Sequence, residues 1–296
     1  MSARLMTPLI LTVALAAPLA APAPADAALV SRKQVQQAGR DAAKQVEEKY
    51  GLWANAAEQE RVRRIGRRVA ERAKYQEGVV YAFQIVNMDD MNAFALPSGH
   101  VYLTKGLVQR VGKDDDLIAA VLAHEVGHLS ELHSHKRIER ALKQQLGFAV
   151  FGSIFGDRLG KAGNFAANLA NQVIFNEYSQ DQEIESDRYG VVLASQAGYR
   201  KEAMADFLRI LAQEERRNKA LEYLRSHPYS ETRVEVVNEF VRSLAAGKVN
   251  LAAYTSPKPP DAAFAYAYPT IRTRAVDGNR DDTDDIPVNP TGRRRN

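Results

Sequence analysis

Residues 114–130 of this chain read DDDLIAAVLAHEVGHLS and include the pattern His124-Glu125-Val126-Gly127-His128. On a helix, histidines four positions apart lie on one face, so both imidazoles can reach a single metal ion. Glu125 points toward the same cavity, where it can accept a proton from an attacking water. The acidic start and the apolar residues at helical spacing predict a buried amphipathic helix. We therefore expect a metal site here; two core histidines beside a surface glutamate are the plain alternative.

A third ligand must be a histidine, glutamate or aspartate, because the chain has no cysteine. Residues 183–190 read EIESDRYG and are predicted to be helical. Glu183 and Asp187 share one helical face, so Glu183 can bind the metal while Asp187 accepts a hydrogen bond from a ligand histidine. Glu185 points roughly 160° away around the helix, which disfavours it as a ligand. This donor set is typical of a catalytic zinc, one ion per chain, with a fourth position left for water.

The two ends of the chain differ in composition from the rest. Residues 1–27 contain Arg4, a short apolar stretch and an Ala-Asp-Ala site, the pattern of a cleaved secretory signal. We therefore expect an exported protein, periplasmic or secreted; an uncleaved membrane anchor is the alternative. Residues 251–296 are rich in proline and in blocks of charge, which predicts a disordered tail. Residues 28–250 then form the metal-binding domain.

Composition narrows the possible partners. The net charge of +4 is weak evidence for acidic partners, and no basic run interleaves with aromatics, so nucleic acid is not expected. The absence of cysteine excludes structural disulfides and a cysteine nucleophile. Residues 146–155 are apolar but too short to span a bilayer, and a buried helix is the default there. Contact with a membrane surface through residues 146–175 is the alternative, and the oligomeric state stays open.

The pattern of apolar residues predicts an α+β fold that is mostly helical. We expect helices at 31–49, 55–75, 105–111, 115–145, 176–197, 201–214 and 231–245. Residues 79–86 are rich in β-branched and aromatic side chains, and residues 93–96 can pair with 101–103 across Pro97-Ser98-Gly99-His100. These strands predict a small antiparallel sheet beside the helix that contains HExxH.

Several motifs resemble one family of peptidases. HExxH followed by a distant ExxxD is the pattern of the gluzincins. Residues 92–99, NAFALPSG, are similar to the NAFALPGG-type hairpin of the HtpX/BepA-type zinc metallopeptidases. Residues 104–107, TKGL, and 226–228, SHP, together with Arg233, resemble further motifs of that family. The resemblance covers about residues 85–240 and implies a zincin-type peptidase domain.

The resemblance implies a zinc-dependent endopeptidase. It makes His124, His128 and Glu183 the zinc ligands and Glu125 the general base, and it places Asn92, His227 and Arg233 at the catalytic cleft. Ser98 and Ser186 stand where the family commonly has glycine and alanine, and both changes are small. With no convincing span after residues 1–27, the chain resembles soluble exported members of the BepA type. We expect no TPR-like repeat array in the residues after the catalytic part.

The remaining histidines have less certain roles. His227 can donate a hydrogen bond to the developing oxyanion, or it can bind at the open zinc position and hold the enzyme idle; a surface histidine before a proline is the plain alternative. His133 and His135 fall five and seven positions after His128, cannot replace it as a ligand on the same face, and are expected to be solvated. His100 lies in the hairpin turn and is expected to be structural.

The expected substrates are polypeptides. An extended peptide can add to the edge of the hairpin through main-chain hydrogen bonds, which favours unfolded or misassembled envelope proteins and a role in protein quality control. A zinc-binding chaperone-like or scaffold protein is the main alternative, and the intact Glu125 argues against it. A protease associated with a membrane through residues 146–175 is the second alternative.

Overall fold

The computed structural model describes residues 30–140, 177–217, 222–228, 231–257, 259–268, 271–273 and 284–286. Its helices are α1 (Arg32–Tyr50), α2 (Ala56–Ala70), α3 (Lys105–Val111), α4 (Asp115–Ser130), α5 (Gln180–Gln196), α6 (Ala203–Arg217), α7 (Glu222–Ser226) and α8 (Glu231–Ala245). The mostly helical α+β fold is confirmed. The predicted signal and the 146–175 segment lie outside the described residues. Within those residues, no helix is both long and apolar enough to cross a membrane.

A three-stranded sheet contains β1 (Ala82–Val86), β2 (Ala93–Ala95) and β3 (His100–Thr104), with β3 in the centre. The predicted hairpin is confirmed, since Phe94 lies opposite Tyr102 in an antiparallel register. However, β1 runs parallel to β3, so the sheet is mixed and not antiparallel as predicted. The alternation of side chains along the sequence identifies strands, but it does not show which strands pair with each other. In the structure β3 lies between β1 and β2 and pairs with both. A separate antiparallel pair joins β4 (Ile271–Thr273) and β5 (Asp284–Ile286).

Helix α4 lies at the centre of the domain. Asp114 caps it by accepting hydrogen bonds from the backbone amides of Asp116 and Leu117, and every residue from Leu117 to Ser130 is buried. It packs against α2, α5, α6 and β2. A Cβ on Gly127 would lie only 2.7 Å from the Cβ of Tyr189 in α5. Glycine therefore allows the close approach of α4 and α5 on which the site depends.

The chain breaks its helix directly after α4. We expected one helix from 115 to about 145, but α4 ends at Ser130, and helical residues resume only at 133–140. Leu132, between them, has a φ of 57°, in the left-handed region that branched residues rarely occupy. The break turns the following residues back toward α4.

Part of the predicted disordered tail is folded. Ala263 and Phe264 are buried in the main hydrophobic core, in a short 3-10 turn at Asp261–Phe264. The backbone N–H of Tyr81 donates to the Ala263 carbonyl at 2.7 Å, and that of Phe83 donates to the Tyr268 hydroxyl at 3.2 Å. The disorder prediction is therefore wrong for the described residues of 251–268. Their aromatic side chains cover the outer edge of β1, a contact that average composition conceals.

Candidate metal centre

Four buried side chains converge on one point. One donor atom each from His124, His128, Glu183 and His227 lies within 4.8 Å of the others. The Nε2 atoms of His124 and His128 are 3.1 Å apart. Glu183 Oε1 lies 3.3 Å from His128 Nε2 and 3.0 Å from His227 Nδ1. The structure thus brings together the three predicted ligands, from α4 and α5, with a fourth donor that directly follows α7.

The chemistry of these donors fits a metal ion. Imidazole nitrogens and a carboxylate oxygen, without thiolate, are common ligands of catalytic zinc. Burial opposes ionisation of Glu183, but its interactions with His227 and with the positive charge of Arg233 outweigh it and hold the pKa of its carboxyl well below the usual range. Glu183 is therefore ionised, as a ligand must be.

Glu125 lies beside this cluster as a free carboxylate. It is fully buried, and neither of its side-chain oxygens has a hydrogen-bond partner among the described residues. The ring of His227 lies beside it, with Nε2 3.4 Å from Glu125 Oε1. Burial raises the pKa of the Glu125 carboxyl, against the lowering effect of His227 and His124. A carboxylate with a raised pKa and available lone pairs is suited to accept a proton.

Behind His124, a buried ion pair holds the ring in place. Asp187 Oδ1 lies 3.0 Å from His124 Nδ1, on the opposite side of the ring from the cluster. Arg233 donates to both carboxylate oxygens of Asp187, at 2.7 and 2.8 Å, and its Nη1 lies 2.8 Å from Glu183 Oε2. Asp187 thus lies beside a ligand histidine, and its role as a hydrogen-bond acceptor there stays a prediction.

Arg233, which was expected to border the cleft, is fully buried beside the cluster, and its place at the cleft stays a prediction. Its burial has a physical reason: two buried carboxylates, Glu183 and Asp187, require a buried positive charge. Burial would raise the pKa of Asp187, but the guanidinium of Arg233 outweighs it and lowers that pKa. Arg233 thus positions Asp187 and, through it, His124.

His133 is not solvated as predicted. It is 1% exposed, and its Nδ1 lies 2.9 Å from the Nδ1 of His128, while its Nε2 lies 3.0 Å from Glu185 Oε2. The break at Leu132 brings it there, and a continuous helix would have pointed it elsewhere. His135 is only partly buried and lies 3.8 Å from Glu139.

Two tyrosines that the sequence analysis missed form the walls of the site. Tyr178 stacks on the ring of His128 with centroids 3.8 Å apart, and Tyr223 stacks on His227 at 4.5 Å. Both are buried, and both fix the plane of an imidazole. Tyr178 lies just before α5, and Tyr223 lies in the five-residue α7. No helical periodicity therefore marks either residue in the sequence.

The hairpin residues occupy the positions expected of them. Asn92 is buried at the start of β2, where its carbonyl accepts a hydrogen bond from the Thr104 amide at 3.0 Å. Its role in the cleft stays a prediction. His100 is structural: its Nδ1 lies 2.8 Å from the Ser98 hydroxyl, and burial lowers its pKa to about 4, so the ring is neutral.

Comparison with known proteins adds a family to this geometry. A model of peptidase family M48 matches residues 56–241, more than half of the chain. The beta-barrel assembly-enhancing protease of Yersinia pestis is 32% identical over 165 residues, which are 52% of this chain and 33% of that protein.

Two further relatives have other names. The mitochondrial metalloendopeptidase OMA1 of Schizosaccharomyces pombe is 32% identical over 151 residues, 51% of this chain and 43% of that protein. The metalloprotease LoiP of Escherichia coli is 27% identical over 165 residues, 53% of this chain and 61% of that protein. The chain therefore matches between about a third and three fifths of the length of these relatives.

Proposed function

Because the chain belongs to peptidase family M48, we propose that it is a zinc-dependent endopeptidase that uses the cluster of His124, His128 and Glu183 to hold one ion. The observation that carries the proposal is the convergence of these donors beside Glu125, whose carboxylate oxygens accept no hydrogen bond from the described residues. A purely structural zinc site does not require a free carboxylate at that position.

Each residue then has a chemical role. When bound, the ion supplies Lewis acidity, which polarises the scissile carbonyl and makes an attacking water more acidic. Glu125 accepts the proton of that water as its oxygen bonds to the carbonyl carbon. Glu125 later delivers the proton to the amine that leaves when the carbon–nitrogen bond breaks. Asp187 and Arg233 hold His124 in the tautomer whose Nε2 faces the cluster.

An extended substrate can pair with the outward edge of β2, whose residues are 0–1% exposed in this structure. In the hairpin register Ala93 and Ala95 occupy the pairs whose backbone groups point away from β3. Strand β2 also packs against α4, which contains Glu125. A peptide added to this edge would lie beside the cluster, and only a chain without its own secondary structure can pair in this way. Unfolded or misassembled envelope proteins meet this requirement. Such substrates are consistent with a role in protein quality control after export to the periplasm.

The position of His227 favours one of its two expected roles. Its Nδ1 lies 3.3 Å from His124 Nε2 and 3.0 Å from Glu183 Oε1, among the ligand atoms themselves. A histidine in this position supports an idle state with His227 as a fourth ligand. Substitution of His227 by alanine separates the roles, since activity rises if the ring blocks the site and falls if it stabilises the oxyanion.

The proposal is tested by cleavage of casein, an unfolded protein, with the purified zinc-loaded chain. Glu125→Gln and a chelator-treated sample are measured beside it, and zinc is then added back. We expect cleavage only in the untreated and the zinc-restored samples. If zinc binds at one ion per chain and neither the wild type nor His227→Ala cuts, a zinc-binding chaperone-like or scaffold role replaces the peptidase.

A further inference from the structure

We propose that His133 and Glu185 form a positioning relay behind His128, which fixes the tautomer and orientation of that ligand. The inference rests on the proposed metal site, because it concerns the face of His128 that points away from the cluster. Neither residue is a ligand: among the described residues, the converging donor set contains His124, His128, Glu183 and His227.

The geometry assigns the protons along the relay. An imidazole that offers the lone pair of Nε2 to a metal must carry its hydrogen on Nδ1. His128 Nδ1–H therefore donates to His133 Nδ1, 2.9 Å away. His133 Nδ1 is then an acceptor, so His133 carries its hydrogen on Nε2 and donates to Glu185 Oε2 at 3.0 Å. Two neutral rings and one carboxylate satisfy every bond in this chain.

Packing leaves the relay little freedom. Tyr178 stacks on His128 with an interplanar angle of 16°, so the ring plane is set from the side. His133 is 1% exposed and meets His128 at 67°, which lets the two Nδ1 atoms face each other. The left-handed Leu132 is the residue that returns the chain to this position. Such a conformation persists only where the surrounding contacts hold it.

The two ligand histidines are thus supported differently. His124 receives a carboxylate directly, from Asp187, which is fully buried. His128 receives a carboxylate through a second imidazole, and the side chain of Glu185 is 44% exposed. The relay therefore connects the buried cluster to a charge at the surface. Solvent and salt screen an exposed charge, so Glu185 contributes less than His133.

The test measures zinc affinity by competition with a chromophoric chelator in the full chain. His133→Phe keeps an aromatic ring but removes both hydrogen bonds, and we expect zinc affinity to fall about 10- to 100-fold. His133→Asn keeps an acceptor near the position of Nδ1 and should recover most of that loss. Glu185→Gln removes the charge alone, and a loss of roughly threefold is expected. His135→Phe, on the same segment but away from the cluster, is the matched control and should bind as the wild type does.

A second readout separates positioning from stability. Unfolding temperatures are measured for each variant with chelator and with zinc. A merely structural role lowers both temperatures equally, whereas loss of the relay reduces the increase that zinc produces. Equal zinc affinity in His133→Phe and His135→Phe would overturn the relay alone. If His133→Phe does not fold, His133→Asn and Glu185→Gln provide the test. Wild-type zinc affinity in Glu185→Gln together with a large loss of zinc affinity in His133→Asn would contradict a relay that runs from His128 through His133 to Glu185. A wild type that binds no zinc would overturn the metal site as well.

Discussion

The two edges of the three-stranded sheet are treated in opposite ways. On β1, the outward amides of Tyr81, Phe83 and Ile85 donate to the Ala263 carbonyl, the Tyr268 hydroxyl and the Gln59 side chain. On β2, the amide of Ala93 reaches only the side chain of its neighbour Asn92. The amide of Ala95 has no partner among the described residues.

We expect the covered β1 edge to contribute to stability and the β2 edge to contribute to substrate binding. An unpaired strand edge invites pairing with other chains, so proteins commonly cover such edges. Here the β1 edge is closed by a glutamine from α2 and by the segment after α8, while on the β2 edge, beside α4, the amide of Ala95 has no hydrogen-bond partner among the described residues. Four substitutions test the comparison: three disrupt the β1 edge, and one blocks the β2 edge.

The largest effect is expected from Phe264→Ala, which removes the main apolar anchor of the closed edge. Phe264 is buried in the core and stacks on Tyr81 with centroids 5.7 Å apart. We expect a loss of about 3 kcal/mol in the free energy of unfolding, measured by urea denaturation. Activity per folded molecule should not change, since the substitution lies on the far edge. An unchanged denaturation midpoint would show that the segment does not cover β1 in solution.

Gln59→Met should have the next largest effect. The Gln59 amide is fully buried, accepts from the Ile85 amide at 3.0 Å and donates to the Ile85 carbonyl at 2.8 Å. Methionine fills the space but leaves the Ile85 amide unpaired, at a cost of about 2 kcal/mol in unfolding free energy. Gln37→Met, at an exposed position of α1, is the control and should change little. Equal effects would contradict a special role for the buried amide.

Ala95→Pro blocks the β2 edge. It removes an outward N–H that no ladder bond uses, and proline is tolerated on edge strands. Loss of one main-chain hydrogen bond to the substrate should lower kcat/KM for a polypeptide about tenfold, with zinc affinity unchanged. Ala95→Gly keeps the N–H and should retain activity. If proline leaves kcat/KM at the wild-type value, substrates do not pair with β2.

The smallest effect is expected for Tyr268→Phe. It deletes the hydroxyl that accepts from the Phe83 amide but keeps the ring over which Arg63 lies at 4.0 Å. We expect a loss of about 1 kcal/mol in unfolding free energy. Thermal unfolding of Tyr268→Phe and Phe264→Ala, measured side by side, compares their losses in unfolding free energy. If the two losses are equal, the Tyr268 hydroxyl, and not the Phe264 ring, anchors the segment.

Local patterns predicted the elements of the site because its ligands lie on regular helices. HExxH and ExxxD each place their residues by helical spacing, and both motifs lie within helices, although the first helix ends well before its expected bound. The hairpin of β2 and β3 was predicted for the same reason, because a short turn fixes its register.

What the sequence did not predict depends on contacts between distant segments. His133 was assigned to solvent by extending α4 past a residue, Leu132, whose left-handed backbone no pattern announces. Arg233 was placed at the cleft, although only the packing of α8 on α5 shows which carboxylates it neutralises. Likewise, Phe264 belongs to a proline-rich segment whose partner, the edge of β1, precedes it by almost the whole domain.

The donors of the cluster are far apart along the chain, and this has a consequence for folding. His124 and His227 are separated by 103 positions, and Glu183 and His227 by 44. One ion held by all of them would act as a covalent staple does, by closing long loops and removing freedom from the unfolded chain. The chain has no cysteine to serve that purpose. Its resistance to unfolding would then follow the supply of zinc and remain indifferent to the redox state of its surroundings.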